Sequence, residues 1–190
     1  MDLMESIKSR RSVQKYATQK PDWRDIIECV DAARYAPMAG NIFTPRFILI
    51  KNEKTIKKLA DAAQQDFIEN AHWVVVVCSD TRRTLNSYGQ ERGERYIRQQ
   101  VGAAIQNFLL KIQEKGLVTC WVGHFVDDNV RTALNIPEGI LIEAMFPIGI
   151  PSKAKGQTPL KPRKKVDIDT MLFFEKYKQK RISGIPFQEV

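Results

Sequence analysis

The stretch from Trp73 to Cys78 reads Trp-Val-Val-Val-Val-Cys, with no polar residue inside it. Valine is enriched in β-strands because its branched side chain packs well on a pleated surface. A strand with one solvated face would alternate apolar and polar residues, and this run does not alternate. The run therefore predicts a strand that is buried on both faces, in a fold whose other elements cover both sides of a sheet.

Strand-like and helical segments alternate along the rest of the chain. The strongest helical pattern spans 93–115, and Gly116 is a natural stop beyond it. Asp22 predicts the N-cap of an earlier helix that ends before Pro37. The buried face predicted for that helix is Trp23, Ile26, Ile27, Val30 and Ala33. Further strands are predicted at 47–50, 117–122 and 140–148, and further helices at 53–69, 127–134 (capped by Asp127) and 168–180. This alternation predicts an α/β or α+β fold, in one domain over residues 1–190.

Three stretches predict segments outside the helices and strands. Residues 79–92 are polar and predict a mobile surface crossing, and residues 147–165 are rich in proline, glycine and lysine. The tail from 182 to 190 resumes apolar residues after Gly184. Such a tail can add a strand to a sheet edge, including that of a neighbouring chain.

Composition narrows the cellular context and the chemistry. No apolar run approaches the roughly twenty residues of a membrane span, and the N-terminus lacks a signal-peptide core, which predicts a cytoplasmic protein. Cys29, Cys78 and Cys120 lie in apolar segments and do not pair by spacing, so buried, reduced thiols are expected. With two histidines, His72 and His124, and no clustered ligands, no metal site is predicted.

The formal net charge of +8 suits nucleic acid, acidic lipid or a phosphorylated small molecule. Nucleic-acid binders usually gather their basic residues on one element, often with aromatic residues between them. Here the lysines and arginines are spread, with local peaks at 8–15, 51–58, 92–98 and 153–165. The distribution favours a phosphate-bearing ligand and leaves a basic, non-catalytic binding protein as the alternative from another class.

Arg10, Arg11 and Ser12 form the most suggestive polar cluster. Two adjacent guanidinium groups beside a hydroxyl make a bidentate site for an oxyanion, with a geometry that lysines would not fix. Leu3, Met4 and Ile7 recur at helical spacing just before the cluster, so a helix end would hold the arginines in place.

The usual signatures of side-chain catalysis are missing. The glycines do not follow a strand at G-x-G-x-x-G spacing, and neither a P-loop nor a G-x-S-x-G elbow occurs. The paired carboxylates, Asp127 with Asp128 and Glu91 with Glu94, lie at predicted helix starts, where capping explains them. A chain without such residues is expected when a cofactor carries the reactive atom.

Six short motifs, in this order, resemble those of the FMN-dependent nitroreductase family. They are Ile7-x-x-Arg10-Arg11-Ser12-Val13; Ala36-Pro37-Met38-Ala39-Gly40-Asn41 followed by Arg46-Phe47-Ile48; Gly116-Leu117 with Cys120-Trp121-Val122-Gly123-His124-Phe125; Ile136-Pro137-Glu138-Gly139; Pro147-Ile148-Gly149-Ile150-Pro151; and Lys161-Pro162-Arg163-Lys164. The resemblance spans about positions 3 to 175.

This resemblance implies an α+β, nitroreductase-type fold with a central, mostly antiparallel β-sheet flanked by helices. It also implies an intertwined homodimer in which residues of about 170–190 wrap the partner subunit. FMN would lie at the interface, with its phosphate and ribityl chain held by Arg10, Arg11 and Ser12 and, from the far end of the chain, by Lys161 and Arg163. The partner subunit would supply Pro37, Met38, Ala39 and Asn41 to line the flavin, while Gly123 and His124 would offer backbone N–H groups to its N5/O4 edge.

The activity implied is that of an FMN-dependent NAD(P)H oxidoreductase. A nicotinamide, NADH or NADPH, would reduce the flavin, and an electron-poor acceptor such as a nitroaromatic or quinone would then reoxidise it in a ping-pong mechanism. A specialised flavin enzyme of the same fold, of the reductive dehalogenase or flavin-fragmenting type, is the alternative within the family. The resemblance implies no metal, nucleic-acid or membrane partner.

The chain departs from the family pattern at two places. Gln14 stands where arginine or lysine is common, near the flavin N1–C2=O edge, and a neutral donor stabilises a reduced, anionic flavin less than a cation does. The resemblance therefore implies a relatively low flavin reduction potential. Met38 and the stretch 42–45 are more apolar than usual, so the substrate preference of the family does not carry over.

Overall fold

A computed structural model describes residues 2–152 and 166–180 of the chain. It divides into two compact units, Met1–Lys153 and Ala154–Val190. In the second unit the residues Ile168–Met171 form a helical turn, α7, which is capped by Asp167. After this turn Phe173 contacts Tyr177, with ring centroids 4.8 Å apart. The prediction of a helix over 168–180 is therefore wrong beyond its first turn. The apolar tail 182–190 lies outside the described residues, and the prediction of one domain over 1–190 stays a prediction.

Four antiparallel strands form one sheet in the order β1-β2-β4-β3. The strands are β1 (Pro45–Ile50), β2 (Trp73–Asp80), β3 (Val118–Thr119) and β4 (Ile140–Gly149). The helices are α1 (Leu3–Ser9), α2 (Trp23–Ala33), α3 (Glu53–Ala63), α4 (Arg82–Tyr88), α5 (Gln90–Glu114), α6 (Asp127–Leu134) and α7 (Ile168–Met171). In the described part of the chain, no helix combines the length and the apolar character needed to cross a membrane.

The valine run of β2 is buried on both faces, as its sequence predicts. Val75 and Val77 belong to the core shared with α2 and α5, whereas Val74 and Val76 belong to the core shared with α3 and α6. All four side chains have 0% exposure. The sheet is therefore a central layer between two pairs of helices, which is an α+β architecture because its strands are antiparallel.

The third predicted strand, 117–122, is shorter in the structure. Its ladder with β4 covers only Val118 and Thr119 and resumes as an isolated bridge between Val122 and Met145. The register places Pro147 of β4 opposite the gap. Proline has no N–H group to donate to the ladder, so the pairing is interrupted there.

The prediction that the polar stretch 79–92 lies outside the helices and strands is wrong, whereas its predicted mobility stays a prediction. The stretch contains the end of β2, all of α4 and the start of α5, with Gly89 at φ 72° forming the corner between the helices. A Cβ on Gly93 would lie 2.9 Å from Cδ2 of Leu85, so the two helices meet closely at a glycine. The sequence did not predict helices here because the stretch is polar and few of its residues face the core.

Some predicted details of the helices also fail. Asp22 caps α2 as expected, accepting a hydrogen bond from the backbone of Arg24, but Trp23 and Ile27 are each 47% exposed. Helix α3 ends at Ala63 because Gln64 adopts a left-handed conformation. Val126, rather than Asp127, occupies the N-cap of α6, and Asp127 lies in the first turn.

Candidate functional site

The residues Ser12–Ala17, called here the outer segment, lie along the free edge of β3 and the end of β4. The N–H group of Val13 donates to the carbonyl of Thr119 at 2.9 Å, and Ser12 forms a parallel bridge with Thr119. Farther along, the N–H group of Ala17 donates to the carbonyl of Ile150 at 2.9 Å. These bonds fix the polar residues after α1 at one corner of the sheet.

Tyr16 anchors the outer segment. A Cβ on Gly149 would lie 2.5 to 2.7 Å from Cδ1, Cγ and Cβ of Tyr16. These tyrosine atoms therefore occupy the space that a side chain at position 149 would need. The Tyr16 hydroxyl lies 3.3 Å from the carbonyl oxygen of Pro147 and 3.2 Å from that of Val13. Burial raises the pKa of Tyr16 well above its usual value, which keeps the hydroxyl protonated as a donor.

The predicted anion-binding residues follow the last turn of α1. Asp2 begins this helix with a capping box. The Nη1 atom of Arg11 donates to the carbonyls of Lys8 at 2.6 Å and Arg10 at 2.9 Å, so the guanidinium is held against the helix end. Arg10 and Arg11 are half-buried and Ser12 is exposed. Among the described residues no carboxylate forms an ion pair with Arg11, whose positive charge therefore remains available to an anion.

Gln14 lies beside the strand that carries the third motif. Its Nε2 atom is 3.9 Å from Sγ of Cys120, which is 8% exposed. Beyond Val122 the chain leaves the sheet, and Gly123 and His124 are both exposed. Within the part of the chain that the structure describes, their backbone N–H groups donate to no protein acceptor. The structure therefore brings the predicted residues 10–14 and 123–124 to the same edge of the sheet.

The second predicted set forms a turn between α2 and β1, called here the 38–41 turn. Ala39–Asn41 is a single 3₁₀ turn closed by a hydrogen bond from the N–H group of Ile42 to the carbonyl of Ala39 at 3.1 Å. Gly40 and Asn41 both have φ of 56°. Met38 and Ala39 are half-buried, and Pro37 and Asn41 are exposed.

The two sets lie at opposite corners of the sheet. The outer segment pairs with Thr119 of β3, which lies level with Trp73 of β2 across the sheet. The 38–41 turn instead leads into Pro45, whose partner on β2 is Ser79. The rows of Trp73 and Ser79 are roughly 20 Å apart along the strand, and β3 and β1 are roughly 14 Å apart across the sheet. One copy of the chain therefore does not bring the 38–41 turn to the outer segment.

Other predictions for the site have mixed outcomes. Cys29, Cys78 and Cys120 are free and buried, as expected. In residues 2–152 and 166–180 no group of three metal-ligating side chains occurs. Trp121 is 45% exposed and packs edge-to-face on the buried Phe146. Lys161 and Arg163 lie outside the described residues.

Sequence reasoning missed several residues that shape the site. Tyr16 and Cys120 had no role assigned, and neither did Tyr88 or Gln100, which contact the 38–41 turn and the residues after it. Gln100 did carry a signal, because it is a polar residue three positions after Ile97 on the buried stripe of α5.

The fold is an antiparallel sheet between two helix pairs, which makes this an α+β protein, and the outer segment, which follows Arg10 and Arg11, is added to the edge of that sheet. The model of the Nitroreductase family matches the chain in two overlapping stretches, residues 7–79 and 61–150. The chain therefore belongs to the nitroreductase family, a family of oxidoreductases. The expected family, fold and enzyme class are confirmed.

Individual relatives agree with this assignment. A protein of Archaeoglobus fulgidus, provisionally named an NADH dehydrogenase/NAD(P)H nitroreductase, is 28% identical over 159 residues, which cover 81% of this chain and 88% of that one. Iodotyrosine deiodinase of Thermotoga neapolitana is 26% identical over 174 residues, covering 83% and 92%. Among solved structures, an FMN-dependent nitroreductase of Clostridium difficile matches with a TM-score of 0.72 at 20% identity, covering 92% of this chain and 99% of that one.

Proposed function

We propose that the chain is an FMN-dependent NAD(P)H oxidoreductase that passes two electrons from a nicotinamide to an electron-poor acceptor in two alternating half-reactions. The observation that carries this proposal is the pairing of Val13 with Thr119. It brings the segment that carries the arginines and Gln14 to the edge of the sheet that leads to Gly123 and His124.

The phosphate end of FMN fits the residues after α1. An FMN phosphate carries about −1.5 to −2 charges near neutrality. The guanidinium of Arg11 is held at a helix end because its Nη1 atom donates to two carbonyls, and Ser12, the next residue, is exposed. This donor set has the chemistry of a phosphate site.

The ring end of FMN fits the residues beyond β3. When bound, the flavin supplies the atom that accepts and returns the hydride. The backbone N–H groups of Gly123 and His124 would donate to the polar edge of the planar ring. The Gln14 amide offers a neutral donor nearby, and it can stabilise negative charge without delivering a proton. The chain thus binds and orients the flavin and tunes its reduction potential. No side chain in the described part is needed as a nucleophile.

The third part of the site, the 38–41 turn, would come from a second copy. The distance between the corners of the sheet leaves this turn out of reach of Gln14 in the same chain. A two-fold dimer presents the same surfaces twice, so a turn that completes the partner's site would be completed in return. The proposed site is therefore shared, with two equivalent FMN sites per dimer.

An absorbance spectrum of the purified protein tests the proposal first. We expect a yellow protein, or one that becomes yellow when FMN is added and the excess is removed. Under anaerobic conditions NADH or NADPH should bleach the flavin band, and a quinone or nitroaromatic added afterwards should restore it. A dimer that stays colourless after addition of FMN would contradict the proposal.

Reductive dehalogenation is the second candidate, because iodotyrosine deiodinase is one of the relatives that match over most of the chain. Both candidates need the same reduced flavin, and the acceptor separates them. With reductant held constant, release of iodide from an iodinated phenol would favour dehalogenation, whereas consumption of a nitroaromatic or quinone without iodide release would favour the first candidate.

A further inference from the structure

Gln100 is a buried polar side chain of α5, and both of its polar atoms are hydrogen-bonded. Its Oε1 atom accepts from the N–H group of Thr44 at 2.8 Å and from the Thr44 hydroxyl at 2.7 Å. Its Nε2 atom donates to the carbonyl of Ile42 at 3.0 Å. Three bonds therefore join one side chain to Ile42 and Thr44, just after the 38–41 turn: two involve backbone groups and one involves the Thr44 hydroxyl.

The position of Gln100 would otherwise suit an apolar residue. It lies on the stripe of α5 that contains Ile97, Val101 and Ala104, and it is 5% exposed. A carboxamide in such a place is costly unless its polar atoms are paired. Thr44 is itself 1% exposed, so solvent cannot replace the bonds that Gln100 makes to it. The interaction therefore holds the backbone from Ile42 to Thr44 at a fixed distance from α5.

The other side of the turn is also held. A Cβ on Gly40 would collide with the hydroxyl of Tyr88, the last residue of α4. Tyr88 is in turn packed edge-to-face on Tyr96 of α5, with ring centroids 5.1 Å apart. The 38–41 turn thus lies between Tyr88 at Gly40 and Gln100 just after Asn41.

We propose that Gln100 is a positioning residue of the flavin site. It acts through the backbone of Ile42 and Thr44 to hold the 38–41 turn in the shape that lines the flavin of the partner subunit. This inference rests on the proposed function. It gives a buried glutamine of α5 a role in cofactor binding without direct contact with the cofactor.

The test replaces Gln100 with methionine, which has nearly the same shape and none of the hydrogen bonds. The control is Asn107→Leu, because Asn107 is another polar residue of α5 but donates to Ala32, away from the turn. Three quantities are measured for each variant: amide hydrogen exchange of the FMN-free protein, the FMN dissociation constant by titration, and the oligomeric state.

For Gln100→Met we expect faster exchange at residues 38–44 in the FMN-free protein and an unchanged oligomeric state. We expect the FMN dissociation constant to rise by about tenfold, because the net contribution of roughly one hydrogen bond to holding the turn in place is lost. Asn107→Leu should change none of the three quantities. A dissociation constant within twofold of the wild-type value would overturn the inference, and so would unchanged exchange at 38–44. Failure of the wild-type protein to bind FMN would instead refute the proposed function, which the titration of the wild-type protein reveals separately.

Discussion

The Nε2 atom of Gln14 lies 3.9 Å from the Sγ atom of Cys120, although the two residues are 106 positions apart in the chain. The contact joins the outer segment to the stretch between β3 and Gly123. It therefore sets a neutral amide, rather than a cation, at the edge of the proposed flavin site.

Replacing Gln14 with arginine should raise the flavin midpoint potential. A cation at this position would stabilise the negative charge of reduced flavin more than an amide does. We expect an increase of about 30 mV or more, since 30 mV corresponds to about 1.4 kcal/mol for a two-electron couple. Gln14→Met, which removes the donor and adds no charge, should leave the potential unchanged or lower it. A spectroelectrochemical titration in which Gln14→Arg has an unchanged or lower midpoint would refute this explanation.

Gly149→Ala should displace the outer segment and destabilise the protein. The new Cβ would lie 2.5 to 2.7 Å from Cβ, Cγ and Cδ1 of Tyr16. These atoms are close to the backbone, so a change of rotamer cannot move all of them away. Overpacking of this kind costs about 1–3 kcal/mol, which urea denaturation can measure. In a Tyr16→Gly background, which lacks all three of the clashing atoms, Gly149→Ala should cost less than it does in the wild-type background. Additive effects would show that the two residues do not share the space.

The buried thiol of Cys29 should make the protein less stable at alkaline pH. Burial raises the pKa of Cys29 to about 12, from an ordinary value of 9.0. Below pH 9 the thiol is protonated in both the folded and the unfolded chain, so its contribution is fully present. Above that pH only the unfolded chain ionises, and the free energy of unfolding should fall by up to about 1.4 kcal/mol per pH unit.

The comparison variant for this effect is Cys29→Ala. Its unfolding free energy should decline less steeply between pH 9 and pH 10.5, even if its stability at pH 7 is lower. Equal slopes for the two proteins in urea denaturation series would mean that Cys29 does not contribute to the alkaline loss.

The sequence predicted the central sheet and its covering helices well, and predicted the edge strand β3 and helix α4 poorly. The valine run of β2 was sufficient to predict a two-sided sheet, and Asp22 marked the start of α2. The interruption of β3 depends on Pro147 of another strand, which no local pattern reveals. The same holds for α4, whose packing on α5 becomes apparent only where Gly93 meets Leu85.

For the site, resemblance to the family supplied the residues, and the structure supplied their spatial relationship. Gly123, His124 and the arginines were predicted together, but the pairing of Val13 with Thr119 that unites them is a long-range contact. Gln100 and Tyr88 were not predicted, because their importance comes from the turn that they touch rather than from their own neighbours in sequence.

The claim that each FMN site is built from two copies can be tested with mixed dimers. One variant carries Arg10→Ala and Ser12→Ala, and the other carries Gly40→Val in the 38–41 turn. Each variant alone should form dimers that bind little FMN. In a dimer of one copy of each, a shared arrangement leaves one site with both of its parts intact.

The decisive measurement is therefore the FMN content of the purified mixed dimer, isolated with a different affinity tag on each chain. We predict about half of the wild-type content, from the one restored site. A mixed dimer that binds as little FMN as either parent dimer would contradict the shared site.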